Sequence, residues 1–271
     1  MSCGNEDTMP KYELLGELRI LAIVASAPEV NPGDPVTFTP ILSDMNGQGR
    51  SIDYSIKACI DPGISIGEDP VCTNPDPASI QTGTLAIPAN ASLTYTGPIA
   101  SFTLTMPDAG VIFAGRSVVD QHNGVIYLVQ YDISVPNGPA IRSFLRIMVS
   151  STSKMPKNQN PSITSIDQGE TPVLDSIPLP GASVDFRVTS PAGSSETYQI
   201  MNRDGTMTTR TEDLINTWFI SDGTIDFSRT IGNSTNTWNP PDARPVNRGL
   251  VFLVVTRDGR GGAAFKKFEM Y

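Results

Sequence analysis

The sequence predicts an all-β protein built of two β-sandwich domains in tandem, and three observations carry that prediction. First, apolar residues recur at every second position in many short segments, as in Val125, Tyr127, Val129, Tyr131 and Ile133, which is the period of a half-buried strand. Second, 23 Gly and 23 Pro punctuate the 271 residues, so that apolar segments are short and joined by turns rather than continued as helices. Third, residues 151–161 are polar and without period, and they divide the strand signals into two series. A hydrophobic content of 39% with 17% charged residues is that of a chain able to bury a core.

The elements follow in order. Residues 1–16 are polar enough to serve as a tether, and the first domain is expected over residues 17–150. Residues 18–25 are mostly apolar, and the turn Pro32-Gly33-Asp34 precedes a strand carrying Val36, Phe38 and Leu42. Residues 52–60, 85–87 and 100–105 continue the series. The clearest strand spans residues 125–135, where Gln130, Asp132 and Ser134 occupy the face opposite the apolar one. Ile141, Leu145, Ile147 and Val149 form its hairpin partner across the turn Pro136-Asn137-Gly138-Pro139. Roughly seven strands in a domain of this size suit an immunoglobulin-like sandwich with an enlarged loop.

Residues 151–161 have almost nothing to bury and read as a linker exposed to proteases. A second immunoglobulin-like domain is expected over residues 162–271. It begins with Ile163 and Ile166, then alternates through Val184, Phe186 and Val188, Tyr198 and Ile200, Trp218 and Ile220, and Ile225 and Phe227. It ends in residues 250–256 and 263–271, joined by Arg257-Asp258-Gly259-Arg260-Gly261-Gly262, whose glycines allow the positive backbone angles of a tight reversal. Both domains thus open with a strand, a Pro-Gly turn and an alternating strand.

Composition excludes whole classes of partner. Twenty-eight acidic against 19 basic residues leave a formal charge of −9, which argues against nucleic acid and against adsorption to an anionic bilayer. No apolar run is long enough to span a bilayer as a helix. Cys3, in Met1-Ser2-Cys3-Gly4-Asn5, reads as the lipidated N-terminus of an exported bacterial lipoprotein whose signal peptide has been replaced by a start Met. Acyl chains there, at about 0.8 kcal/mol per buried methylene, would supply membrane attachment. Cys59 and Cys72 flank a Pro- and Gly-rich loop and are expected to form a disulfide, stabilising by roughly 3 kcal/mol in the chain-entropy model.

Two segments carry a resemblance. Leu18-Arg19-Ile20-Leu21-Ala22-Ile23, followed by Ala27-Pro28-Glu29-Val30-Asn31-Pro32-Gly33-Asp34-Pro35-Val36, looks like the start of bacterial immunoglobulin-like lipoproteins, notably those of myxobacteria and related predatory bacteria. The closing Val254-Val255-Thr256-Arg257-Asp258-Gly259-Arg260-Gly261-Gly262 is similar to the last hairpin of the same group. The resemblance implies a fold and an outer-membrane location, periplasmic or surface-facing. It transfers no catalytic or binding residue.

Little in the chain calls for catalysis or a cofactor. The single histidine, His122, stands near Asp120 in what reads as a loop, without a Gly-x-Ser-x-Gly elbow. Asp61, Glu68, Asp69 and Asp76 gather acidic oxygens, but their spacing matches no calcium loop, and one His with three Cys does not suggest a zinc site. Asn90-Ala91-Ser92 and Asn233-Ser234-Thr235 match the glycosylation pattern by chance in a bacterial chain. Trp218 is expected in the core of a sandwich, whereas Trp238, followed by Asn239-Pro240-Pro241, reads as exposed. The expected function is that of a non-enzymatic cell-envelope lipoprotein acting as a structural or protein-interaction module toward an envelope protein, the alternative being a surface adhesin or glycan-binding module that uses loops of the second domain. Its recognition residues are expected on loops of the second domain, with Asn236, Trp238 and Asn239 together with Arg257, Asp258 and Arg260 as candidates.

Overall fold

The computed structural model describes residues 11–45, 47, 49–63, 70–85, 95–136, 138–243 and 249–271. Cys3, Glu68, Asp69, Ile87, Asn90 and Asn137 lie outside the described residues.

Alternation in the first half becomes two facing sheets. One holds β1 (Arg19–Ala25), β3 (Pro35–Asp44), β6 (Tyr95–Pro98) and β7 (Phe102–Thr105). The other runs in the order β2 (Glu29–Val30), β9 (Ile141–Val149), β8 (Val125–Ser134), β4 (Ile52–Ile60) and β5 (Gln81–Leu85). Val36, Phe38, Leu42, Tyr127, Val129 and Tyr131 meet between the sheets. Burying them releases apolar surface from water at about 25 cal/mol per Å².

The second half repeats the plan. Its first sheet runs β11 (Thr171–Val173), β10 (Ser165–Gln168), β13 (Val184–Thr189), β19 (Asn236–Asn239) and β17 (Thr224–Ile225). The facing sheet runs β12 (Ser176–Ile177), β21 (Ala263–Met270), β20 (Leu250–Arg257), β16 (Ile215–Ile220) and β18 (Arg229–Ile231). In each half the opening strand pairs antiparallel in one sheet, as β1 with β3 and β10 with β13. The chain then crosses to pair parallel with the last strand, as β2 with β9 and β12 with β21. The architecture is therefore two immunoglobulin-like β-sandwiches in tandem. Trp218 sits in the second core, its Nε1 donating to Thr230 Oγ1 at 3.0 Å.

Several expectations are corrected. His122 lies on a helix, α2 (Val118–Asn123), which follows the shorter α1 (Ala109–Ile112). Its start is a capping box made by Ser117 and Asp120, a signal visible in Ser117-Val118-Val119-Asp120. Tyr198 and Ile200 belong to neither sandwich but to a separate hairpin of β14 (Thr197–Met201) and β15 (Met207–Thr211). Phe227 is exposed rather than inward-facing.

The tether and the linker are also more engaged than their polarity suggests. Leu15 is buried, and the segment before β1 bridges the second sandwich, with Leu15 N donating to Ile220 O and Ile220 N to Glu13 O. Tyr12 packs on Phe219, while the Arg19 guanidinium donates to the carbonyls of Tyr12 and Leu14. Within residues 151–161, Lys154, Asn158 and Pro161 are buried. Asn160 ties the sandwiches directly, its Nδ2 donating to Ala25 O at 2.7 Å and its Oδ1 accepting from Ala263 N at 3.0 Å.

An apolar seam lies beneath these contacts. Leu21, Ala22, Ile41 and Met45 of the first sandwich meet Phe219, Val251, Leu253 and Val255 of the second. A register shift between Ile20 and Ala22 re-aims β1, which leaves both Leu21 and Ala22 in the seam.

Candidate functional site: a charged junction and its cleft

The two sandwiches and their connector enclose a buried ionic cluster. Glu29, at the start of β2, has a side chain with 0% exposure. Its Oε1 accepts from Lys154 Nζ at 2.7 Å and from Ser150 Oγ, while its Oε2 accepts from Asn158 N at 3.0 Å and Arg260 Nη2 at 3.2 Å. Arg260 continues into the second sandwich, reaching Glu212 Oε1 at 2.8 Å and Glu196 Oε2 at 3.6 Å. Its guanidinium lies over the Tyr198 ring, 4.0 Å from the centroid. Burial pushes the Glu29 carboxyl upward, but the hydrogen bonds from Lys154, Ser150 and the Asn158 backbone outweigh it and hold the group below its usual range. Burial keeps Glu212 above its usual range.

The turn between β20 and β21 delivers Arg260. Asp258 stiffens that turn by accepting from the backbone N–H of Arg260 at 2.7 Å and Gly262 at 2.9 Å, and it also accepts from Asn158 Nδ2 at 2.9 Å. Gly261 has φ 102°, and a Cβ there would lie 2.8 Å from the Arg146 carbonyl oxygen. Glycine is what lets the turn press against β9.

Beside the cluster lies a cleft of about 610 Å³. One wall is β14, through Thr197, Tyr198 and Gln199; the other is His122 of α2 with Met155 and Pro156; Arg260 and Lys154 border it. At one end Asn123 fastens the walls together, its Nδ2 donating to Met201 O and its Oδ1 accepting from Met201 N, both at 2.9 Å. Burial and the nearby Lys154 charge lower the affinity of His122 for a proton.

The candidates expected from sequence do not assemble into an exposed site. Trp238 is fully buried in the second core, edge-on to Phe252, with Nε1 donating to Asp222 O at 3.1 Å. Asn236 is buried and brackets Phe227 through both its N–H and its carbonyl. Asn239 accepts from Ser183 Oγ at 2.6 Å. Arg257 donates to Leu21 O across the junction at 2.8 Å. Of the group, Arg260 alone borders the cleft, and Asp258 supports it from beneath. Asp120 is engaged in its cap, which leaves it no pairing with His122 in this arrangement. Asp61 is paired with Arg146 at 2.7 Å, and Asp76 caps the 3-10 turn at Pro77–Ser79.

Cys59 and Cys72 form the expected disulfide, with an S–S distance of 2.12 Å. It packs with Leu128 and Phe144 on the outer face of the β8 sheet. Cys72 N donates to Gln130 Oε1 at 3.4 Å. This covering explains why Leu128 and Gln130 are buried although they point away from the core.

No protein-family model matches the chain, and no curated protein matches it. Solved structures give distant likenesses. The periplasmic chaperone SfaE is 11% identical over 92% of this chain and 98% of its own, with a TM-score of 0.30. The sporulation control protein Spo0M of Bacillus subtilis is 11% identical over 94% and 91%, with a TM-score of 0.25. Red sea bream transglutaminase is 10% identical over 95% of this chain, with a TM-score of 0.29, and the chain spans about a third of its length, 32%. Likenesses this remote bear on no activity.

Proposed function

We propose that this chain is a non-enzymatic cell-envelope lipoprotein, akin to the immunoglobulin-like lipoproteins of myxobacteria, that works as a rigid protein-interaction module. The observation that carries this reading is the junction. The charged groups gathered there, Glu29, Lys154, Arg260 and Glu212, are paired with one another across the two sandwiches. Such pairing suits holding a shape rather than performing acid-base chemistry, which needs a group free to exchange its proton with a substrate. The Cys59–Cys72 disulfide supports export, because such bonds persist in oxidising compartments. Acylation of Cys3 would attach the module to the outer membrane.

Mass analysis of the N-terminal peptide from native envelopes tests the anchor, with a diacylated or triacylated Cys3 expected. An unmodified Cys3 would remove the lipoprotein reading. For the alternative, a surface adhesin or glycan-binding module, Trp238 and Asn236 are buried and offer no exposed platform on which a sugar could stack.

A further inference from the structure

The edge of β14 that faces the cleft carries unpaired backbone groups. The register of the hairpin shows this. Glu212 N donates to Glu196 O, and Asn202 N to Thr206 O. Those pairs share parity with Tyr198↔Arg210 and Ile200↔Thr208, so the even-numbered residues of β14 exchange their hydrogen bonds with β15. Alternation in an antiparallel ladder then turns the N–H and C=O of Thr197, Gln199 and Met201 away from β15. Met201 confirms the direction, since its N–H and C=O meet the Asn123 carboxamide. Thr197 and Gln199 have no such partner among the described residues, and both line the cleft.

We propose that this edge accepts an extended segment of a partner polypeptide as a third strand, seated in the cleft between β14 and the wall formed by His122, Met155 and Pro156. This deepens the interaction-module reading and rests on it. Asn123 already shows the mode of recognition: its side-chain amide donates to and accepts from Met201 as a neighbouring strand's backbone would. A strand running on from that point would meet Gln199 and Thr197 in the same way, about 4.8 Å from β14. Its side chains should be uncharged. Lys154 and Arg260 are already paired with Glu29, Glu196 and Glu212, so a charged residue finds no free counter-charge, whereas Met155, 76% exposed, offers apolar surface. Backbone atoms supply the affinity, and proline is excluded where the guest strand must donate.

The test uses the full chain with linear peptides selected from a displayed random library. Gln199→Pro removes the outward N–H without touching a ladder bond of the hairpin, whereas Gln199→Ala keeps it. Selected peptides are expected to slow hydrogen exchange at the Thr197 and Gln199 amides, to bind Q199A normally, and to bind Q199P about tenfold more weakly, the effect of losing about 1.4 kcal/mol. Binding that leaves both amides unprotected, or that survives in Q199P when circular dichroism shows it folded, overturns the edge while leaving an interaction module intact. Failure to select any peptide overturns the edge as well. A dimer of the chain alone that Q199P abolishes would assign the edge to a second copy instead.

Discussion

At the scale of single residues, burial decides role. Trp238 has the neighbours of a loop residue, yet β13 and β17 flank it and place its ring against Phe252. Trp238→Ala is expected to lower stability by about 3–5 kcal/mol, since it leaves a large cavity. Denaturant unfolding measures it, and a loss below about 1 kcal/mol would return Trp238 to the surface. Glu29 gives a second expectation. Glu29→Gln removes one partner of a buried ionic cluster and should destabilise by about 3–5 kcal/mol at neutral pH. The folded-state carboxyl lies below its ordinary value of 4.5, so its contribution is present above that pH and is lost as pH falls through the depressed folded value. The stability gap between wild type and E29Q should therefore close on acidification. A gap that stays constant to the acid limit of folding would show that the charge of Glu29 is not what matters.

At the scale of elements, the connector is the clearest departure from expectation. Its Ser, Asn and Lys content is that of a solvated linker, but Asn158, Asn160 and Lys154 find their partners in β2, β1 and the β20–β21 turn. Limited proteolysis should leave residues 151–161 uncut while the native state persists. Early cleavage there, giving two resistant halves, would mean that the buried hydrogen bonds do not hold in solution. Reduction of Cys59–Cys72 should lower stability by about 3 kcal/mol, read as a shift of the denaturation midpoint. It should also loosen the outer face around Leu128 and Phe144 rather than the central core, because the disulfide packs there. The strand before the seam, β20, carried a readable sign. Its run from Leu250 to Val255 is apolar at every position rather than at alternate ones, and a strand of that kind is covered on both faces.

At the scale of the whole molecule, the seam, the ionic cluster and the docked segment before β1 join the sandwiches. Leu14 pairs with Ile220, so the segment before β1 adds to the contact between the two sandwiches. Unfolding should accordingly occur in one transition. Leu253→Asp would place a charge in the seam at a side chain with 0% exposure, at a penalty of several kcal/mol. Calorimetry should then resolve two transitions. Two transitions in the wild type would show that the junction is too weak to couple the halves.

The class, the two strand series, most of the strands and the disulfide are legible in the amino-acid order alone. Each of these rests on residues close along the chain: the two-residue period of β8, the glycines of the last turn, the Pro-rich loop between Cys59 and Cys72. Which polar residues are buried and which outward faces are covered is set by how distant segments pack together. Glu29 and Arg260 are 231 residues apart, and Asn123 is 78 residues from Met201. The pairing of such residues follows from how two finished sandwiches rest on each other, a property of their surfaces together and of no local pattern in either.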